Sequence, residues 1–147
     1  MEGLEIRELA RNEDQRGWLA EMIRHDETDL RPVMSYISMT KPGLARGPHE
    51  HREQTDCFCF IGRFTLYVWD NREGSPTYGE HRVIDIGDLP TLAVIPPGIV
   101  HAYKNTGGHD GLVINLPDRL YRGWGKADDV DEVRYENHPD SPFRMEG

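Results

Sequence analysis

Apolar and polar residues alternate in short runs along most of this chain. The runs predict strands at Val33 to Thr40, Asp56 to Ile61, Phe64 to Trp69, His81 to Ile86, Thr91 to Ile95 and Gly111 to Leu116. Between them lie stretches rich in Gly, Asn, Asp and Pro, notably Asn71 to Pro76 and Thr106 to Gly111, which suit tight connections between strands. Many short strands joined by turns indicate an all-β sandwich or barrel. One stretch departs from period two. From Glu13 to Arg24, Trp18, Leu19 and Met22 form a narrow apolar face behind Asn12 as a cap, which predicts a short amino-terminal helix. From Lys126 onward the chain is rich in Asp and Glu and carries Pro139 and Pro142, so it is predicted to wrap the core as an extended segment anchored by Tyr135 and Phe143.

Composition narrows the partners. The 147 residues suit a single domain spanning 1–147. A formal net charge of −9 argues against nucleic acid and anionic membrane as partners, because both select for basic surfaces. No apolar run approaches the ~20 residues needed to span a bilayer, and the first residues lack signal-peptide character, so a cytoplasmic protein is expected. The two cysteines, Cys57 and Cys59, alternate with Phe58 and Phe60 and are expected as small buried residues without a disulfide.

The chemistry is concentrated in two histidine runs, Gly47-Pro48-His49-Glu50-His51 and Pro96-Pro97-Gly98-Ile99-Val100-His101. On a strand, residues two apart share a face, so His49 and His51 are expected to project together, with His101 converging on them from a second strand. Imidazole can take and return a proton near neutral pH, or bind a metal through its lone pair. Asp56 would add a carboxylate. Its direction is open, because counting back from Gly62 turns Thr55 inward, and a slip of one residue reverses a side chain.

These runs resemble the paired motifs of the cupin superfamily: Gly43, His49 and His51 with an acidic residue, then Pro-x-Gly-x-x-His-x-x-x-Asn ending at Asn105. Further segments, Asp14 to Glu21, Gly43 to His49, Asp70 to Gly79 and Ile95 to His101, follow the order and spacing of dTDP-4-dehydrorhamnose 3,5-epimerases, and Val133-Arg134-Tyr135 is similar to that family's closing strand. The resemblance implies a cupin double-stranded β-helix, or jelly roll, that pairs as a homodimer. It also implies a metal-free epimerase that forms an enolate beside the ketone of a nucleotide-linked 4-keto sugar. In that scheme His49 is the base and His101 lines the pocket and polarises the ketone oxygen. Arg46 grips the diphosphate and Arg16 fills another arginine position of the family; Asn115 and Arg119 are further candidate substrate contacts.

Three family features have no match. The strand Leu112-Val113-Ile114-Asn115-Leu116 carries no tyrosine where the family has its acid, which leaves Tyr103 and Tyr121 as candidate replacements. The aspartate that orients the family's histidine belongs to a carboxy-terminal extension with no counterpart expected here. A lysine is missing near Thr55. His51, in turn, is more typical of metal-binding cupins. The alternative is therefore a metal-dependent cupin in which His49, His51, Asp56 and His101 hold one divalent Mn, Fe, Ni or Zn ion. A sugar-binding cupin without catalysis is the third class.

Overall fold

The computed structural model describes residues 1–146. Twelve strands are ordered β1 (Glu5–Glu8), β2 (Asn12–Asp14), β3 (Gly17–Leu19), β4 (Tyr36–Thr40), β5 (Ala45–Glu50), β6 (Asp56–Ile61), β7 (Phe64–Asp70), β8 (His81–Ile86), β9 (Thr91–Ile95), β10 (Ile99–Asn105), β11 (Gly111–Asn115) and β12 (Val133–Arg134). They build two five-stranded antiparallel sheets, with orders β1-β9-β6-β11-β4 and β12-β5-β10-β7-β8, and a separate β2-β3 hairpin. This is the jelly roll that the two motifs imply.

Period-two patterning explains the layers. Phe58 and Phe60 of β6 meet Phe64, Leu66 and Val68 of β7, and Ile99 and Tyr103 of β10, between the sheets. Cys57 and Cys59 face the other way, where Leu9, Leu92, Ala20, Met22, Ile23 and Leu30 cover them. Both cysteines are free and buried. Burial raises the Cys57 thiol to about 12 and Cys59 to about 11, which removes thiolate chemistry at neutral pH. On the outer face of the second sheet, Tyr67, Trp69, Val100 and Ala102 are covered by Tyr135, Phe143 and Met145. The two aromatics expected to anchor the terminal segment therefore do so, with Phe143 edge-on to Tyr135 at 4.8 Å.

The predicted helix over Glu13 to Arg24 is corrected. The segment forms the β2-β3 hairpin and then an extended stretch. Locally, the Asp14 carboxylate accepts from the Arg16 backbone N–H at 2.8 Å, and Gly17 takes φ 137°, which closes a turn where a helix would have continued. The apolar stripe also fails to find a core: Trp18 and Leu19 remain 44% and 62% exposed. Ala20, Met22 and Ile23 instead lie on the cysteine face of the sheet, and that burial favours the extended chain.

The Asp70 to Gly79 run is a built loop. Asp70, buried at the end of β7, accepts from the Arg72 backbone at 3.0 Å, from Arg72 Nε at 2.9 Å and Nη2 at 2.7 Å, and from the hydroxyls of Ser75 at 2.8 Å and Thr77 at 2.6 Å. The Arg72 guanidinium, against the cost of burial, holds this carboxyl well below the ordinary carboxylate range. One carboxylate thus organises the whole motif. Its residues do not line the main cavity.

Candidate active site

A cavity of about 1290 Å³ opens at one end between the two sheets, and the segment from Pro117 to Glu136 forms much of its wall. Adjacent strands β5 and β10 bring the histidines together, with His49 directly opposite His101 in the register. Gly47 makes that approach possible. A Cβ at this position would lie 2.6 Å from the His101 carbonyl oxygen, and its φ of +89° is one that side-chain-bearing residues rarely adopt. The register shifts just beyond this point, between His101 and Tyr103.

The ring centroids of His49 and His101 are 4.5 Å apart, those of His49 and His51 6.0 Å, and those of His51 and His101 6.2 Å. Asp56 reaches them from the other sheet. It shares inward parity with Phe58 and Phe60, so the motif count from Gly62 that favoured Thr55 is corrected: β6 ends at Ile61 and Gly62 enters the turn one residue earlier than the motif spacing assumes, so the parity of the strand itself decides. Asp56 Oδ2 stands 3.1 Å from His51 Nε2 and 3.2 Å from His101 Nε2. Its Oδ1 accepts from Gln54 Nε2 at 2.7 Å and Asn115 Nδ2 at 2.9 Å.

Tautomers follow from the carbonyl partners. His101 Nδ1 is 3.0 Å from the Ile99 carbonyl, and His51 Nδ1 contacts the Asp131 carbonyl. A carbonyl only accepts, so both Nδ1 atoms carry hydrogen, and in a neutral ring each Nε2 turns a lone pair toward Asp56. Asp56 Oδ2 and His101 Nε2 are close, yet neither makes a well-directed hydrogen bond. A positive species between them, a proton or a metal cation, relieves that opposition. The four residues offer donor atoms that all lie within 4.8 Å of one another.

The electrostatics separate the rings. Burial, reinforced by His101, pushes His49 down to about 2 despite the neighbouring Asp56 charge, so His49 is neutral at physiological pH. Burial also works against a proton on His51, but the hydrogen bond and charge of Asp56 prevail and raise it to about 9. Burial alone would raise Asp56; His101 and His51 together hold it well below the usual carboxylate range.

Sequence reasoning missed what the carboxy-terminal segment contributes. Strand β12 pairs with β5 and sets Arg134 opposite His49. Glu132, just before β12, places Oε1 3.6 Å from His49 Nδ1, within ion-pair reach though beyond a hydrogen bond. A carboxylate therefore stands behind this histidine, from Glu132 and not from the family's aspartate. Asp131 accepts from the backbone N–H groups of Arg52, Glu53 and Gln54, each at 3.0 Å, and so fixes the loop after His51. Tyr135 donates to Glu50. The only sequence signal was the Val133-Arg134-Tyr135 strand, which does not say which histidine it will meet.

The remaining candidates divide by position. Arg46 lines the cavity, its guanidinium held by Thr40 Oγ1 at 3.1 Å and the Met39 carbonyl at 2.9 Å. Tyr103 lines it from within an aromatic cluster of Phe58, Phe60 and Phe64. Tyr121 and Arg119 line its outer part, where Arg119 meets Glu53 at 3.6 Å. Asn115 is fully buried behind the cavity wall and positions Asp56, in place of the substrate contact expected of it. Arg16 is not brought to the cavity of its own chain; it is exposed on the hairpin and paired with Asp14 at 2.5 Å.

Comparison with known proteins agrees with this architecture. The family model described as dTDP-4-dehydrorhamnose 3,5-epimerase matches residues 1–121. A protein of Haloferax volcanii named "Probable low-salt glycan biosynthesis epimerase" is 43% identical over 136 residues, covering 89% of this chain and 85% of that protein. A spore coat polysaccharide biosynthesis protein of Bacillus subtilis is 34% identical over 137 residues, covering 91% of this chain and 88% of the relative. The crystal structure of a dTDP sugar isomerase from Desulfovibrio desulfuricans superposes with a TM-score of 0.84 at 26% identity, covering 97% of this chain and 90% of that one.

Proposed function

The chain belongs to the dTDP-4-dehydrorhamnose 3,5-epimerase family, and from that premise we propose that it epimerises a nucleotide-linked 4-keto sugar by proton transfer at a carbon beside the ketone. The observation that carries this reading is His49: a neutral imidazole on the cavity wall, with the Glu132 carboxylate behind its Nδ1. A neutral ring has a free lone pair for the carbon-bound proton. Glu132 favours the imidazolium that results, and the enolate charge formed alongside favours it further. His51, on the cavity wall and raised to about 9, would set a positive charge near the enolate oxygen, in a site where burial strengthens each electrostatic contact. His101 does not line the pocket as expected: it is buried behind the wall, where it faces Asp56 and would act through that carboxylate. Arg46 supplies donors suited to a diphosphate in a protein that is acidic overall.

The test is solvent exchange. His49→Asn should abolish deuterium incorporation into a dTDP-linked 4-keto-6-deoxyhexose in D2O while leaving dTDP affinity within about twofold, since only the transferable proton is lost. Normal exchange by that variant would refute the assignment.

A second reading is favoured by the opposed pair of Asp56 Oδ2 and His101 Nε2. His49, His51, Asp56 and His101 form a donor set suited to a divalent Mn, Fe, Ni or Zn ion, which when bound would supply Lewis-acid stabilisation of an enolate. Titrating the protein with Zn²⁺ or Mn²⁺ discriminates. Stoichiometric binding that is lost in His51→Ala supports the metal; no binding by the parent protein removes it.

We also place the protein in the cytoplasm as a homodimer. Strand β4 ends its sheet with an open edge, where Ile37 and Met39 are 62% and 42% exposed. Light scattering that returned the monomer mass would overturn the dimer.

A further inference from the structure

Inversion at carbon needs a base on one face of the enolate and an acid on the other. The family's acid has no counterpart on β11, where Asn115 ends the strand. The register pairs Asn115 with Tyr36 on the neighbouring strand β4, so a tyrosine missing from one strand is present at the adjoining position of the next. Tyr36 lines the cavity, as does Ser38 two residues on, whereas Ile37 and Met39 between and beyond them face outward.

We propose that Tyr36 is the catalytic acid, delivering a proton to the face of the enolate opposite His49; this rests on the epimerase reading above. Three observations carry it. His49 belongs to the sheet containing β5 and β10, and Tyr36 to the sheet containing β6, β11 and β4, so the two side chains approach the cavity from opposite walls. Tyr103, by contrast, sits on His101's strand on the same sheet as His49. The second observation is the direction of a hydrogen bond. Asn115 Nδ2 donates to the Tyr36 oxygen at 3.1 Å, and among the described residues the phenol makes no hydrogen bond as donor, so its own proton is free for the cavity. The third is continuity: the same Asn115 nitrogen donates to Asp56, and Asp56 contacts His51 and His101, so a single network spaces the acid from the histidines.

The step balances. His49 takes the proton as the C–H pair moves into the enolate and the ketone oxygen becomes an oxyanion. Tyr36 then gives its O–H proton to the other face of that carbon, the new C–H bond forms, and the C=O bond is restored. The tyrosinate is held by the Asn115 donor and recovers a proton from water, which reaches a side chain that is 46% exposed; His49 releases its proton likewise. Burial pushes the phenol up to about 12, so it is protonated before the step at neutral pH.

The experiment follows exchange and inversion separately, by proton NMR in D2O with a dTDP-linked 4-keto-6-deoxyhexose. Tyr36→Phe should lower inversion at least about a hundredfold, the scale of one positioned acid. Deuterium incorporation with retained configuration should continue within severalfold, because removal by His49 does not need the phenol. The variant loses one hydroxyl from a half-exposed side chain, and unchanged melting and dTDP binding confirm that it is folded. Inversion at the parent rate overturns the assignment, as does loss of exchange together with inversion in a folded variant. A parent protein that neither exchanges nor inverts this substrate overturns the epimerase reading, and the role of Tyr36 falls with it.

Discussion

Glu132 Oε1 and His49 Nδ1 lie 3.6 Å apart although 83 positions separate them in the chain (132 − 49), and the contact depends on the short strand β12 pairing with β5. The carboxylate is in turn held by Arg134 Nε at 2.9 Å. A carboxylate behind the distal nitrogen favours the imidazolium. The terminal segment is therefore part of the site, and it lies beyond the residues that the family model matches.

Glu132→Gln should reduce kcat by about a hundredfold, at the low end of what a positioned base contributes. KM should change little. Steady-state kinetics decide this, and an unchanged kcat would remove Glu132 from the mechanism.

Arg46→Ala should weaken dTDP binding by about 1.5–3 kcal/mol, the value of a hydrogen bond to a charged group. Calorimetry measures it, with a parallel melt to show that losing the contacts to Thr40 and Met39 has not unfolded β5. Equal affinities would place the diphosphate elsewhere.

Gly47→Ala should cost about 1–3 kcal/mol, since the new side chain must adopt an unfavourable φ. Its Cβ would also press on the His101 carbonyl from 2.6 Å, so β5 and β10 must part and activity should fall more than stability does. Denaturant unfolding alongside an assay separates the two effects.

Asp70→Asn should destabilise the protein by about 3 kcal/mol at neutral pH, because it leaves Arg72 facing an amide where a buried carboxylate stood. The sign with pH is definite. The folded pKa of Asp70 is depressed, so its stabilisation is present above the ordinary value of 3.8 and is lost as pH falls below it toward the folded value. Melting curves for parent and variant should therefore converge in acid. A constant difference down to pH 2 would contradict the pairing.

Much of this protein was determined by sequence alone. Alternation at Phe58 and Phe60, at Phe64, Leu66 and Val68, and at His49 and His51 specified strands and the faces they bury, because side-chain direction in a strand follows from parity and needs no knowledge of neighbours. The convergence of His101 with the other two histidines was legible only because the two runs together match the paired cupin motifs, since parity does not say which strands will be neighbours. The tertiary structure decided the rest. Trp18 and Leu19 were compatible with a helix until the cysteine face of the sheet took Ala20, Met22 and Ile23 into an extended path. The direction of Asp56 was ambiguous when counted by motif spacing from Gly62 and settled once Phe58 and Phe60 were seen to face the core. Glu132 beside His49, and Tyr36 beside Asn115, arise from pairing between strands distant in the chain. Register between such strands is set by the packing of whole sheets, so no local pattern in the sequence contains it.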